Sequence, residues 1–143
     1  MLITGTCHCR NISFTLTWEP DPAEIPVRGC TCSFCLKHGG VWTSNPKGIL
    51  RIAVEHPALV SRYAFETRTA EFQVCARCGI VPVATSRIDD NLYAVVNVNT
   101  FEGVAPSLLH RASASFDGEG QASRLDRRKR NWIADVEFRE SNA

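Results

Sequence analysis

The sequence predicts a mainly β fold built from short antiparallel strands. Three observations predict it. Apolar residues recur at every second position, most clearly where Ile12, Phe14, Leu16 and Trp18 alternate with Ser13, Thr15 and Thr17, which is the period of a half-buried strand. Pro, Gly, Asn and Asp interrupt the chain at short intervals, as hairpins require. Seven cysteines fall in three tight groups at the borders of these runs.

The strands are expected over residues 12–18, 49–54, 59–65, 71–74, 80–85, 92–98 and 132–138. The segment 92–98 is rich in Val and carries Tyr93, both strand formers. Glu19-Pro20-Asp21-Pro22 is a turn cluster, and 117–121, with Gly118 and Gly120, reads as an exposed loop. No long helical stripe is present. Residues 35–40 suit a short helical turn, and 122–131, with its Arg, Lys, Leu and Ala, suits a helix. The length of 143 residues fits a single domain over 1–143.

Composition excludes several functions. A net charge of +1 is too small to imply nucleic acid or an anionic membrane surface. No apolar run approaches the roughly 18 residues of a membrane span. Met1-Leu2-Ile3-Thr4-Gly5 lacks the basic segment and long apolar stretch of a secretory signal. A reducing compartment, the cytoplasm, follows as the expected location, and there seven thiols point to metal rather than disulfides.

Cys7-His8-Cys9 precedes the first alternating run, Cys30-x-Cys32-x-x-Cys35 follows the first turn region, and Cys75-x-x-Cys78-Gly79 lies between two expected strands. Zinc takes four ligands in a tetrahedron, and a Cys-x-x-Cys turn presents two sulfurs to one ion. The simplest division joins Cys7 and Cys9 with Cys75 and Cys78 as a full structural site. Cys30, Cys32 and Cys35 then form a second site with one coordination position to spare, as a catalytic zinc needs. His38 could close that second site as Cys₃His, or lie exposed in its loop. His8, between two ligands, should be turned away from the metal.

Gly5-Thr6-Cys7-His8-Cys9, the Cys30/Cys32/Cys35 group followed by Gly39-Gly40, Cys75-x-x-Cys78-Gly79, and Tyr93-Ala94-Val95-Val96-Asn97-Val98-Asn99 together resemble the glutathione-dependent formaldehyde-activating enzyme (GFA) family. Its domain is also called CENP-V/GFA. The resemblance runs over about 3–110, and 111–143 diverges from the family pattern. It implies an Mss4-like β-tent, a structural zinc on Cys7, Cys9, Cys75 and Cys78, and a second zinc on Cys30, Cys32 and Cys35. It also implies an activity, the joining of glutathione to formaldehyde as S-hydroxymethylglutathione.

The expected function is therefore a zinc-dependent carbon–sulfur lyase or synthase, with Cys30, Cys32 and Cys35 as its catalytic group and a small thiol or aldehyde as its partner. The alternative is a non-catalytic zinc module that binds a partner or small ligand. Phe34 and Trp42, beside the trio, could line a pocket, with core packing as the ordinary reading. Arg124, Arg127, Arg128, Lys129 and Arg130 form a basic run beside Trp132. Such runs are ordinarily solvated surface. Folded over the trio, these cations would instead bind carboxylates.

Overall fold

The computed structural model describes residues 1–141, which form two sheets. The first has five strands in the order β10 (Phe101–Glu102), β1 (Leu2–Thr6), β2 (Ile12–Thr17), β5 (Ile49–Val54) and β12 (Asp135–Glu140). The second has seven, in the order β11 (Leu109–Ala114), β3 (Ile25–Cys30), β4 (Trp42–Thr43), β9 (Asn91–Asn97), β8 (Val83–Ile88), β7 (Glu71–Cys75) and β6 (Val60–Tyr63). The fold is mainly β, as the alternation predicts. Neighbouring strands are antiparallel except for β12 on β5 and β11 on β3, which are parallel. Parallel neighbours need long connections, and here most of the chain lies between the partners.

One buried cluster joins the sheets. Ile3, Ile12, Phe14, Leu16, Leu50 and Ile52 come from the first sheet, and Ile25, Val27, Val83, Ala94 and Val96 from the second. Burying each large aliphatic side chain stabilises the fold by about 1.5–3 kcal/mol. Successive strand residues face opposite ways, so Val95, between Ala94 and Val96, points away from this core. It joins Ala84, Trp42, Cys35, Val81 and Trp132 in a second cluster. The second sheet is thus covered on both faces, and Cys35, Trp42 and Trp132 gather on the face away from the main core.

Some strand boundaries depart from expectation for local reasons. The expected strand 80–85 is β8, which starts only at Val83. Pro82 has no N–H for a ladder, and the Ile80 carbonyl closes the preceding turn by accepting from Cys75 N at 2.9 Å. Trp132 and Ile133 do not begin the last strand. The Trp132 N–H closes the preceding helix on the Arg128 carbonyl, and Ile133 exchanges two backbone hydrogen bonds with Ala94. Two α-helices complete the architecture, α1 (Ser33–His38) and α2 (Gln121–Asn131).

Candidate metal centres

The sulfurs of Cys7, Cys9, Cys75 and Cys78 all lie within 4.8 Å of one another. Two similar turns bring them there. After β1 the chain reverses, with Cys7 N donating to the Ile12 carbonyl at 2.9 Å and Arg10 in the left-handed region at φ 69°. After β7 it reverses again, with Gly79 at φ 81° donating to the Cys75 carbonyl at 2.7 Å. Glycine takes that conformation without steric penalty. The cluster thereby ties the start of the first sheet to a strand of the second.

The spacing suits a tetrahedral thiolate site. Zn–S bonds of about 2.3 Å place sulfurs about 3.8 Å apart. Cys7 and Cys9 are 3.8 Å apart, and Cys9 and Cys75 3.4 Å. Cys7 and Cys75 are fully buried, and Ile12 N donates to the Cys7 sulfur at 3.3 Å. Burial pushes the Cys7 thiol up to about 12. Cys78 falls to about 6: burial opposes ionisation, but backbone hydrogen bonds from Cys9 and Ile80 and neighbouring thiols outweigh it. His8 is exposed.

The sulfurs of Cys30, Cys32 and Cys35 form the second group within 4.8 Å. Cys30 ends β3, Cys32 is the N-cap of α1, and Cys35 lies in that helix. The Cys32 sulfur accepts from Cys35 N at 3.4 Å, and Gly39, left-handed at φ 74°, ends the helix. The Trp42 indole N–H donates to the Cys35 sulfur at 3.4 Å. Such donors favour the charged form of a sulfur and fix its orientation. The hydrogen bond with Cys35 draws the Cys30 thiol down to about 6, and the same contact pushes Cys35 up.

His38 is not part of this group; among the described residues, no histidine or carboxylate joins the trio. Its ring packs on Phe34, with centroids 4.4 Å apart, and stands edge-on to Trp42 at 6.0 Å. Phe34 also contacts Tyr63, Phe65 and Phe72. The two readings of Trp42 therefore both apply, since it is buried in the second core and also lines the cavity beside the trio. Both cysteine groups can hold a metal ion, and an all-sulfur donor set suits zinc.

That cavity, of about 100 Å³, places the trio beside Arg28, Arg124, Arg127 and Arg128. The reading of the basic run as solvated surface is corrected here for three of its five members. Arg124 and Arg128 are buried and Arg127 nearly so, while Lys129 and Arg130 are exposed. Arg124 donates to Glu66 at 2.9 Å and to the Phe116 and Glu119 carbonyls. Arg127 grips Glu119 through Nε and Nη2 and lies 3.6 Å over the Phe116 ring. The hydrogen bonds from Arg127 hold the Glu119 carboxyl below its usual range. Arg28, which the motifs leave unmarked, donates to Ser44 at 3.0 Å.

A helical signal for these arginines is present in the sequence. Positions 124, 127, 128 and 132 follow the i, i+3, i+4, i+8 stripe of a core-facing helix, and all four line the cavity.

A crystal structure of a Rhodobacter sphaeroides protein is similar over 73% of this chain and 92% of that one, with 31% identity and a TM-score of 0.53. Residues 2–114 match the family described as glutathione-dependent formaldehyde-activating enzyme. That match takes in every cysteine, from Cys7 to Cys78, and ends before α2. The chain belongs to the glutathione-dependent formaldehyde-activating enzyme family.

Proposed function

We propose that this protein is a zinc-dependent carbon–sulfur lyase or synthase acting on a thiol–aldehyde adduct such as S-hydroxymethylglutathione. Cys7, Cys9, Cys75 and Cys78 hold a structural zinc. Cys30, Cys32 and Cys35 hold the second, catalytic zinc. The observation that carries the reading is the contrast in surroundings: of the four cysteines, Cys7 and Cys75 are buried in the main core and Cys9 and Cys78 pack against it, whereas the three line a cavity.

Zinc held by the trio supplies an acidified thiol, since coordination removes the proton of a bound thiol near neutral pH. The chain's own residues supply position and exclusion. Trp42 orients the Cys35 sulfur, and the N–H of Cys35 orients that of Cys32. Phe72, Val95 and Trp132 form an apolar wall that limits water around the reacting carbon. In the synthase direction a carbon–sulfur bond forms between the substrate sulfur and the aldehyde carbon, and the carbonyl oxygen takes up a proton. The lyase direction reverses both changes.

The seven free cysteines fit a reducing compartment, and the cytoplasm is the proposed location. No helix among the described residues is long and apolar enough to cross a membrane.

The test is zinc content against turnover. Fully loaded protein should carry two zinc ions and catalyse exchange between glutathione with formaldehyde and their adduct, read by NMR line shape. A chelator titration that removes one zinc and leaves the far-UV circular dichroism unchanged should abolish exchange. Full exchange after that removal would overturn the reading.

A further inference from the structure

The cavity beside the trio contains more positive charge than its own carboxylates balance. Glu66 and Glu119 pair with Arg124 and Arg127. Arg28 and Arg128 have no carboxylate within ion-pair distance among the described residues; their hydrogen-bond partners are neutral, and the negative charge near Arg28 is that of the Cys30 sulfur. Arg28 meets the hydroxyl of Ser44. Arg128 meets Thr69 at 2.8 Å and Ser86 at 3.2 Å, and lies 5.0 Å over the Trp132 ring. Arg128 is only 6% exposed, and its Nε, like that of Arg124, is buried without an acceptor. A buried guanidinium with an idle donor destabilises the fold unless an anion answers it. Asp117, the remaining carboxylate at this cavity, is exposed.

We propose that the pocket takes a small carboxylate-bearing substrate, its carboxylate seated against Arg28 and Arg128 and its reacting end turned toward Cys30, Cys32 and Cys35. This rests on the thiol–aldehyde reading above and names the substrate class for it. Arginine is suited to the role because its planar fork meets a carboxylate with two parallel hydrogen bonds. Arg124 and Arg127, already neutralised, hold α2 in place as the wall. The cavity volume, about 100 Å³, lies below the roughly 300–1,000 Å³ of sites that enclose drug-sized ligands. The enclosed part holds only a few heavy atoms, enough for the carboxylate end of a substrate. Arg128 comes from α2, beyond the residues that match the family, so this part of the recognition belongs to the chain's own C-terminal segment.

The experiment is calorimetric binding to zinc-loaded protein with two matched pairs of probes. One pair is 3-mercaptopropionate against 2-mercaptoethanol, and the other is glyoxylate against glycolaldehyde. In at least one pair the acid should bind about tenfold tighter or more, the scale of a charge-assisted contact. The pair that shows the preference tells whether the thiol or the aldehyde carries the carboxylate. Arg28→Met and Arg128→Met should each erase the preference, and Arg130→Gln, at an exposed position, should keep it. Arg128→Met should also hold or raise the melting temperature, because it removes an unanswered buried charge. A fall in melting temperature with the preference intact would assign Arg128 a structural role and overturn the proposal, as would equal binding within both pairs. A carboxylate preference without any turnover would instead sink the enzyme reading and leave the anion seat standing.

Discussion

The two cysteine clusters use the same donor atom for opposite ends. The four-sulfur cluster joins regions far apart in sequence: Cys9, in the turn between β1 and β2 of the first sheet, lies 66 positions from Cys75, which ends β7 of the second. The three-sulfur cluster comes from one short stretch, Cys30 to Cys35. A metal on the first closes a long loop and so opposes the entropy of the unfolded chain, whereas a metal on the second closes almost none. The lesson is that long-range ligands stabilise the fold, and local ligands leave a metal free to face a cavity.

The sharpest way to break this comparison is at the sulfurs. Cys75→Ser should lower stability by about 3 kcal/mol or more, since metal binding at such a site is folding free energy. Cys32→Ser should lose one zinc equivalent and shift stability by about 1 kcal/mol or less. Urea unfolding with zinc analysis reads both, and equal losses would end the distinction.

Each cluster also has a glycine wedged under a ring. A Cβ on Gly5 would lie 2.2 Å from Cζ of the buried Phe14, and one on Gly40 would lie 2.6 Å from Cε1 of His38. Phe14 is buried between the sheets, whereas the His38 ring is only half-buried. Gly5→Ala should therefore cost about 2–3 kcal/mol and Gly40→Ala about 1 kcal/mol. Gly40→Ala should in addition disturb Trp42 emission, because its Cβ would also approach the indole nitrogen at 3.0 Å.

The smallest effect is a pH dependence confined to the pocket side. Hydrogen bonds from Arg127, with the charges of Arg124 and Arg128, hold the folded Glu119 pKa below its unfolded value. Its contribution to stability is therefore complete above the usual carboxylate range. It is lost as pH falls through the depressed folded value. Glu119→Gln should flatten the acid limb of the stability curve, measured as melting temperature against pH, by a fraction of that limb. An unchanged limb would show that Glu119 titrates alike in both states.

Much of this was legible in the sequence, and what was not has physical causes. Strict alternation marks β2, and the grouping of cysteines by spacing matches their grouping in space. β3 was missed because Pro26 interrupts it, and proline argues against a strand. β11 was missed because its residues are mostly exposed and its apolar and polar positions do not alternate. The parallel pairings of β11 and β12 leave no mark in periodicity, which encodes faces and not directions. The pocket wall was hidden by a residue-type prior: arginines are rarely buried, so a stripe at helical spacing read as a solvated run. Arg28 had no motif around it and becomes visible only where β3 and α2 line one cavity.

The late arrival of α2 and β12 has a consequence for the newborn chain. β12 must find β5, and α2 must reach the end of β3, so both contacts span most of the polypeptide. At roughly 5–20 residues per second, Arg128 leaves the ribosome about 5–20 s after Cys30. For that interval the trio has its sulfurs and Arg28 but lacks the arginines of α2. Its choice of metal is then governed by which thiophilic ions the cell makes available, and selection among carboxylates begins only when translation has delivered the last helix.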